Sequence, residues 1–348
     1  MTAHAQSSPE TIAERLLACP ILACDPVAGS GNSRVLRVTC QDRVVALKLY
    51  PDPTEEGRSR LEHETAAAQL LAGRAGAGLL TARLIAVDRV EGAAAFEWID
   101  GSMVGPRDAT DLDSLVDFVR RFQQISRRGG QNFALEAIGA TLTLSEMARQ
   151  LHAREERLLS APGATHELKD FFEAHFIGLH RSAMDEALRA YASLGLDPHA
   201  SLSREASILS PSDFGFHNVL KLSDGRLALV DLEYCGWDDP VRLLVDVICH
   251  PAMNLSRAEG IQFLSKAVPL FLDDVEFSMR LRVLAPLIAL RWSLIVLNEF
   301  IPEMWLRRQQ AGNCMDWEEA KRLQLRKATN LVALAEAFLT KGPMCSLP

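Results

Sequence analysis

The sequence predicts an α+β chain of two lobes, a small β-rich lobe at the N-terminus and a larger, mostly helical lobe at the C-terminus. Three observations carry that expectation. In residues 21–50, side chains alternate with the period of two that belongs to strands: Leu36, Val38 and Cys40 interleave with Val35, Arg37 and Thr39. From about residue 112 onward, apolar residues recur at helical spacing instead. One island, residues 207–232, interrupts the helices with a strand–loop–strand pattern.

Taken in order, residues 1–18 read as a polar tail and a short helix. Strands follow over 21–50, with the glycine-containing turn Ala28-Gly-Ser-Gly-Asn-Ser33 between the first and the second. A charged loop, 52–60, leads to a helix over 61–71. Residues 84–87 and 93–98 are two more strands, and Ile99-Asp100-Gly101 breaks the pattern. The lobe boundary is therefore drawn there, with residues 1–98 in one lobe and 99–348 in the other. Leu112, Leu115, Val116, Val119, Phe122 and Ile125 then share one helical face. Further helices are expected around 143–159, 167–193, 257–272, 277–300 and 317–339. The island reads as a strand at 208–209, a loop through Asn218, a strand at 219–220, a Ser-Asp-Gly turn at 223–225 and a strand over 227–232.

A chain of 348 residues suits two cores better than one. With 48% hydrophobic and 24% charged residues, the balance is that of a soluble globular protein. A net charge of −8 argues against a nucleic-acid partner, which calls for a basic face. The most apolar stretch, 281–300, is interrupted by Arg282 and Arg291 and reads as a core helix too short in its apolar run to span a membrane. The start of the chain shows no secretory pattern. Seven scattered cysteines without a CxxC pair fit free thiols in a reducing cytoplasm. The expectation is a cytoplasmic protein with neither nucleic-acid nor membrane partner.

The residues that carry chemistry cluster in the island. Leu209-Ser-Pro-Ser-Asp-Phe-Gly-Phe-His-Asn218 places Asp213 and Asn218 five apart in a loop, and Leu229-Val-Asp-Leu-Glu-Tyr234 places Asp231 at the end of the next strand. Phosphoryl transfer needs a carboxylate beside the attacking hydroxyl and oxygen ligands for magnesium beside the triphosphate. Asp213, Asn218 and Asp231 are of the right types, although Asp and Asn in a loop also serve as plain turn residues.

This pattern resembles the aminoglycoside phosphotransferase and choline kinase superfamily, relatives of the protein kinases, whose members carry Asp-x-x-x-x-Asn, a short hairpin and an apolar strand ending in Asp. Asp231-Leu-Glu-Tyr234 is similar to the choline-kinase branch. The resemblance spans about residues 28–250 and implies a two-lobe protein-kinase-like fold. It implies Asp213 as catalytic base, Asn218 and Asp231 as magnesium ligands, ATP and Mg2+ as cofactors, and a small-molecule hydroxyl acceptor: a sugar, amino sugar, aminoglycoside or amino alcohol. The chain departs from the family at two places. Pro211 and Ser212 stand where the family has His and Gly, and Leu243 stands where it has Asp after Gly236-Trp-Asp-Asp-Pro240, with Asp246 one helical turn later as a candidate substitute. Asp238 and Asp239 read equally well as the acidic start of a helix at Pro240.

The N-terminal lobe adds a separate argument. Lys48 lies inside the apolar strand Val-Val-Ala-Leu-Lys-Leu-Tyr50, where an unpaired ammonium is costly, and Glu64 on the following helix is the natural partner; an exposed edge strand is the alternative. By the resemblance, Lys48 touches the α- and β-phosphates and Glu64 holds it. Gly29, Ser30, Gly31 and Asn32 occupy the place of the phosphate-covering loop, and glycine permits close backbone approach there. Phe96-Glu-Trp-Ile-Asp-Gly101 resembles the family hinge, with Glu97 and Ile99 offering backbone groups to adenine. His217, His250, Arg291, Trp292 and Asn298 read as structural residues, with the lining of an acceptor pocket as the alternative for the last three. The competing reading is a catalytically weak kinase-like protein that binds nucleotide or a partner. No activation-loop pattern of a protein kinase follows Asp231.

Overall fold

Alternation makes the first sheet. Leu36 and Val38 on one strand and Val45 and Leu47 on the next are buried, while Arg37, between the first two, is exposed. The structure is a computed structural model that describes residues 7–27, 33–50, 55–72, 79–105, 107–130, 133–310 and 314–344. The glycine turn, with Gly29, Ser30, Gly31 and Asn32, lies outside the described residues.

Along the chain the order is α1 (Pro9–Leu17), β1 (Ala23–Pro26), β2 (Arg34–Thr39), β3 (Val44–Leu49), α2 (Glu55–Ala72), β4 (Leu84–Asp88), β5 (Ala93–Glu97) and β6 (Gly101–Met103). Helices α3 (Ala109–Gly129), α4 (Leu144–Leu159), α5 (His166–Phe171) and α6 (Ile177–Ser193) follow. Then come β7 (Ile208–Ser210), β8 (Val219–Leu222), β9 (Leu227–Leu229) and β10 (Gly236–Asp238), and finally α7 (Pro240–Cys249), α8 (Arg257–Ala267), α9 (Phe277–Val296), α10 (Pro302–Gln310) and α11 (Trp317–Lys341).

These elements form two compact units. The first comprises residues 1–106, 130–138 and 211–236; the second comprises 107–129, 139–210 and 237–348. The division drawn from sequence at residue 98 runs with the chain, whereas the compact units interleave. Hydrogen bonding explains why 211–236 joins the first unit: β6 pairs with β8, β8 with β9, and the Leu229 amide donates to the Leu80 carbonyl at 2.9 Å.

In the first unit an antiparallel sheet runs β1-β2-β3-β5-β4. Ser8 caps α1 by accepting the Thr11 amide, Pro9 opens it, and Ile12, Ala13 and Leu17 cover one sheet face at Leu36, Val38, Val45, Leu47, Ala93 and Ala95. Leu61 and Ala68 of α2 cover the opposite face at Tyr50, Ala94 and Phe96. The period of two puts Lys48 on that second face, with Tyr50.

Two expectations change. The charged segment expected as a loop over 52–60 is helical from Glu55, because Glu and Arg are good helix formers and charge alone does not make a loop. The last island strand ends at Leu229 rather than at residue 232, because Asp231 takes a positive φ of 62° that no strand accommodates.

In the second unit, the predicted apolar face of α3 is buried at all six positions. The segment from Phe277 to Phe300 is long and apolar enough to cross a membrane, contrary to the sequence expectation on length. It is buried against α4, α6, α7 and α11, so it is the core helix of this unit.

Gly236 opens β10 against the backbone of residues 136 and 137. A Cβ there would lie 2.6 Å from the Glu136 carbonyl oxygen and closer still to the Ala137 nitrogen. Gly236→Ala should lower stability by about 1–3 kcal/mol, read as a shift of the urea midpoint at unchanged slope.

Candidate functional site

The site begins with a buried ammonium. Lys48 Nζ lies 2.6 Å from Glu64 Oε2, 2.7 Å from Asp231 Oδ1 and 3.0 Å from Glu233 Oε2. Glu64 comes from α2, as the sequence predicts, while Glu62, two residues earlier, is exposed. Glu64 also accepts the Tyr50 hydroxyl at 2.6 Å and, through its other oxygen, the Leu232 amide at 3.3 Å. Glu233 accepts the Ser33 hydroxyl at 2.7 Å, and Arg60, stacked on the Tyr234 ring, approaches its second oxygen at 3.7 Å. Ser33 is the residue that follows the glycine turn.

Three carboxylates around one ammonium leave an excess of negative charge. Burial pulls the Lys48 pKa down, but Glu64, Asp231 and Glu233 outweigh it, so the ammonium stays charged well above its ordinary range. Burial pushes Glu64 up, and Asp231 adds to that push against the opposing pull of Lys48. Tyr50 is driven well above its usual value, first by burial and then by Glu64.

The loop from 211 to 218 is held by local hydrogen bonds. The Asp213 amide donates to the Pro211 carbonyl at 2.9 Å across Ser212, whose φ is 67°, which is the rare, strained form of three-residue turn. Serine holds a left-handed backbone here, a conformation that glycine takes without strain. Asn218 Nδ2 donates to the Asp213 carbonyl at 2.8 Å, and the Val230 amide donates to the Asn218 carbonyl at 2.9 Å. The loop is thereby tied to the strand end that presents Asp231. Tyr234 feels both carboxylates: burial raises its pKa, Arg60 opposes, and Glu233, Asp213 and Asp231 add to the rise. Asp213, Asn218, Asp231, Lys48 and Glu64 thus all belong to the first unit and gather around the island hairpin.

Exposure separates two roles. The side chains of Lys48 and Glu233 are 7% and 1% exposed, whereas Asp213 and Asp231 keep 32% and 38%. The buried ions fix the arrangement and the half-open carboxylates face solvent. Asp231 and the Oδ1 of Asn218 are hard oxygen donors of the kind magnesium takes, so the residues present fit that ion. The acids Glu64, Asp231 and Glu233 also bring ligand atoms within 4.8 Å of one another, but they enclose the Lys48 ammonium and make a nest for it.

Glu97 ends β5 on the strand beside β3; its amide donates to the Arg83 carbonyl at 2.8 Å, and Ile99 follows in the irregular segment 98–100. Three residues of the site stand outside the sequence expectation. Glu233 was legible only as part of the Asp-x-Glu motif, Ser33 carried no signal, and His217, read as a structural histidine, has Nε2 2.9 Å from Asp213 Oδ1.

The acids weighed in the second unit brace it instead. Asp239 caps α7 through the Val241 amide at 2.9 Å and pairs with Arg280 at 2.9 Å. Asp246 pairs with Arg242 at 3.1 Å and accepts the Trp292 indole at 2.6 Å, and Asp238 accepts the Thr141 amide at 2.9 Å. Arg291 donates to Gln150 at 3.0 Å, and Leu243 is buried.

The model of the phosphotransferase enzyme family (APH) matches residues 25–265. Solved structures with the same fold include the choline kinase LicA from Streptococcus pneumoniae, at 16% identity and TM-score 0.58 over 94% of this chain and 99% of that one. The streptomycin–ATP ternary complex of APH(2″)-IIa matches at 11% identity and TM-score 0.58, over 95% of this chain and 99% of that one. Spectinomycin phosphotransferase APH(9)-Ia, in complex with ADP and spectinomycin, matches at 12% identity and TM-score 0.56, over 94% and 97%. No curated protein matches the sequence.

Two outcomes test this geometry. Lys48→Met strands the buried acids and should cost about 3–5 kcal/mol in urea unfolding at neutral pH. The deficit should shrink as pH falls, because a buried carboxylate with a raised pKa binds its proton in the folded state first, so folding regains stability on acidification. Ser212→Gly should be tolerated or mildly stabilising, whereas Ser212→Val, branched at a left-handed position, should lose about 1–3 kcal/mol by the same measurement.

Proposed function

The chain belongs to the phosphotransferase enzyme family, and from that premise we propose that it moves the γ-phosphate of ATP onto a hydroxyl group of a small molecule. The observation that carries this reading is the 2.7 Å contact between Lys48 and Asp231, side chains 183 positions apart that meet in one buried nest with Glu64. A chain that needed only a stable sheet would not bury an ammonium there, since desolvation costs several kcal/mol per ion.

Each residue then has a task. Lys48, held charged by its acids, binds the α- and β-phosphates. Glu97 and Ile99 offer backbone groups to adenine, and the sequence resemblance assigns Gly29, Ser30, Gly31 and Asn32 to the phosphates. Asn218 and Asp231 are the oxygen ligands for magnesium, which when bound offsets phosphate charge. Asp213, in the half-open loop, orients the acceptor hydroxyl and takes its proton as the oxygen attacks phosphorus. The acceptor is an alcohol-bearing metabolite: a sugar, amino sugar, aminoglycoside or amino alcohol. Similar folds that bind streptomycin with ATP, or spectinomycin with ADP, support that class. A sugar-containing metabolite is the reading we favour, by analogy of fold.

The test is ADP release with magnesium and ATP across a panel of small alcohols. The parent should turn over at least one acceptor. Asp213→Asn should lower kcat by about 10^2–10^4 while nucleotide affinity stays within a few fold. Nucleotide binding with identical background turnover in both proteins would mark a binding relative without transfer and overturn the kinase reading.

A further inference from the structure

Asp213 needs more than its backbone to act as a base. The turn across Ser212 and the Asn218 amide bond to the Asp213 carbonyl place only its main chain. A side chain that is 32% exposed keeps rotamer freedom unless something holds it. Pro211, two residues before, has no side-chain donor with which to do so.

The holding group comes from the other end of the loop. His217 lies in a single 3-10 turn, 216–218, and its Nε2 is 2.9 Å from Asp213 Oδ1. That turn is itself anchored. Phe214 and Phe216 are buried on either side of Gly215, the Asn218 amide donates to the Gly215 carbonyl at 3.0 Å, and the Val219 amide donates to Phe216. The imidazole, 18% exposed, is therefore better fixed than the carboxylate it touches.

We propose that His217 is a positioning residue for Asp213: it donates from Nε2 to one carboxylate oxygen and fixes the plane in which the base meets the acceptor hydroxyl. The inference rests on the kinase reading above, because it assigns His217 a task in that reaction. A donor to a carboxylate is a charge-assisted hydrogen bond, strong enough to select one orientation. Proton abstraction tolerates little angular error, and misplacement by about 1 Å costs on the order of 10^2 in rate. His217 touches neither phosphate nor proton in this scheme and works only through Asp213.

Three kinetic results and one spectroscopic result test it. His217→Ala should lower kcat by about ten- to a hundredfold, with the KM for nucleotide within about twofold of the parent. His217→Gln, which keeps a side-chain N–H donor, should recover most of the loss. In the Asp213→Asn background, His217→Ala should change kcat no further, since the group it orients is gone. Parental kcat in His217→Ala, or an equal drop in the Asp213→Asn background, would overturn the proposal. In nitrogen-resolved NMR spectra of the protein without substrate, the His217 Nε2 resonance should move on Asp213→Asn. An unmoved resonance overturns the contact whether or not any acceptor is turned over, whereas a moved resonance in a protein with no transfer activity sinks the kinase reading and leaves the contact standing.

Discussion

The Lys48 ammonium is the constraint on which the first unit depends. An ion buried to 7% exposure is tolerable only with counter-charges and hydrogen bonds in place. One counter-charge comes from α2, which must therefore lie on the same sheet face as Lys48. The other two, Asp231 and Glu233, come from a segment that follows β9, so the chain must return to the sheet after a long excursion through helices. Fold and site are thus one requirement: the contact that closes the first unit also assembles the groups that face solvent.

The acids of the two units do different things, and the cations set beside them decide which. In the second unit Arg242 stands between Asp238 and Asp246, and Arg280 stands between Asp239 and Asp274 at 2.9 and 2.8 Å. Each acid there is matched by a guanidinium, whose planar fork satisfies two partners at once. In the first unit three acids share one lysine, with Arg60 at the margin of Glu233. The surplus of negative charge is concentrated where Asp231 reaches solvent, which favours a cation there.

Backbone strain marks the same place. Ser212 and Asp231 both hold positive φ, and they lie at the two ends of the loop and hairpin that carry Asp213 and Asn218. Such conformations cost about 1–3 kcal/mol each and persist only where surrounding bonds over-determine them. Here the bonds are identifiable: the Pro211 carbonyl, the Asn218 amide and carbonyl, and the Lys48 contact to Asp231. Local preference for these residues points elsewhere, and the site is where that preference is overruled.

By itself the sequence determined the β-rich start and helical remainder, the pairing of Lys48 with Glu64 and the burial of the α3 face. These follow from periodicity and from the cost of burying a charge, both of which act over a few residues or one neighbouring element. Tertiary structure alone decided that 211–236 joins the first unit, that Glu233 and Ser33 complete the lysine nest, that Asp238, Asp239 and Asp246 are braces, and that His217 meets Asp213. The segment ending at Phe300 is the core helix its interrupting arginines suggested, although its length and composition also meet the requirement for a membrane span. The reason is common to all of these. Which oxygen a buried cation meets, and which face of a helix finds cover, depends on groups brought together from distant parts of the chain, and residue spacing carries no record of that choice.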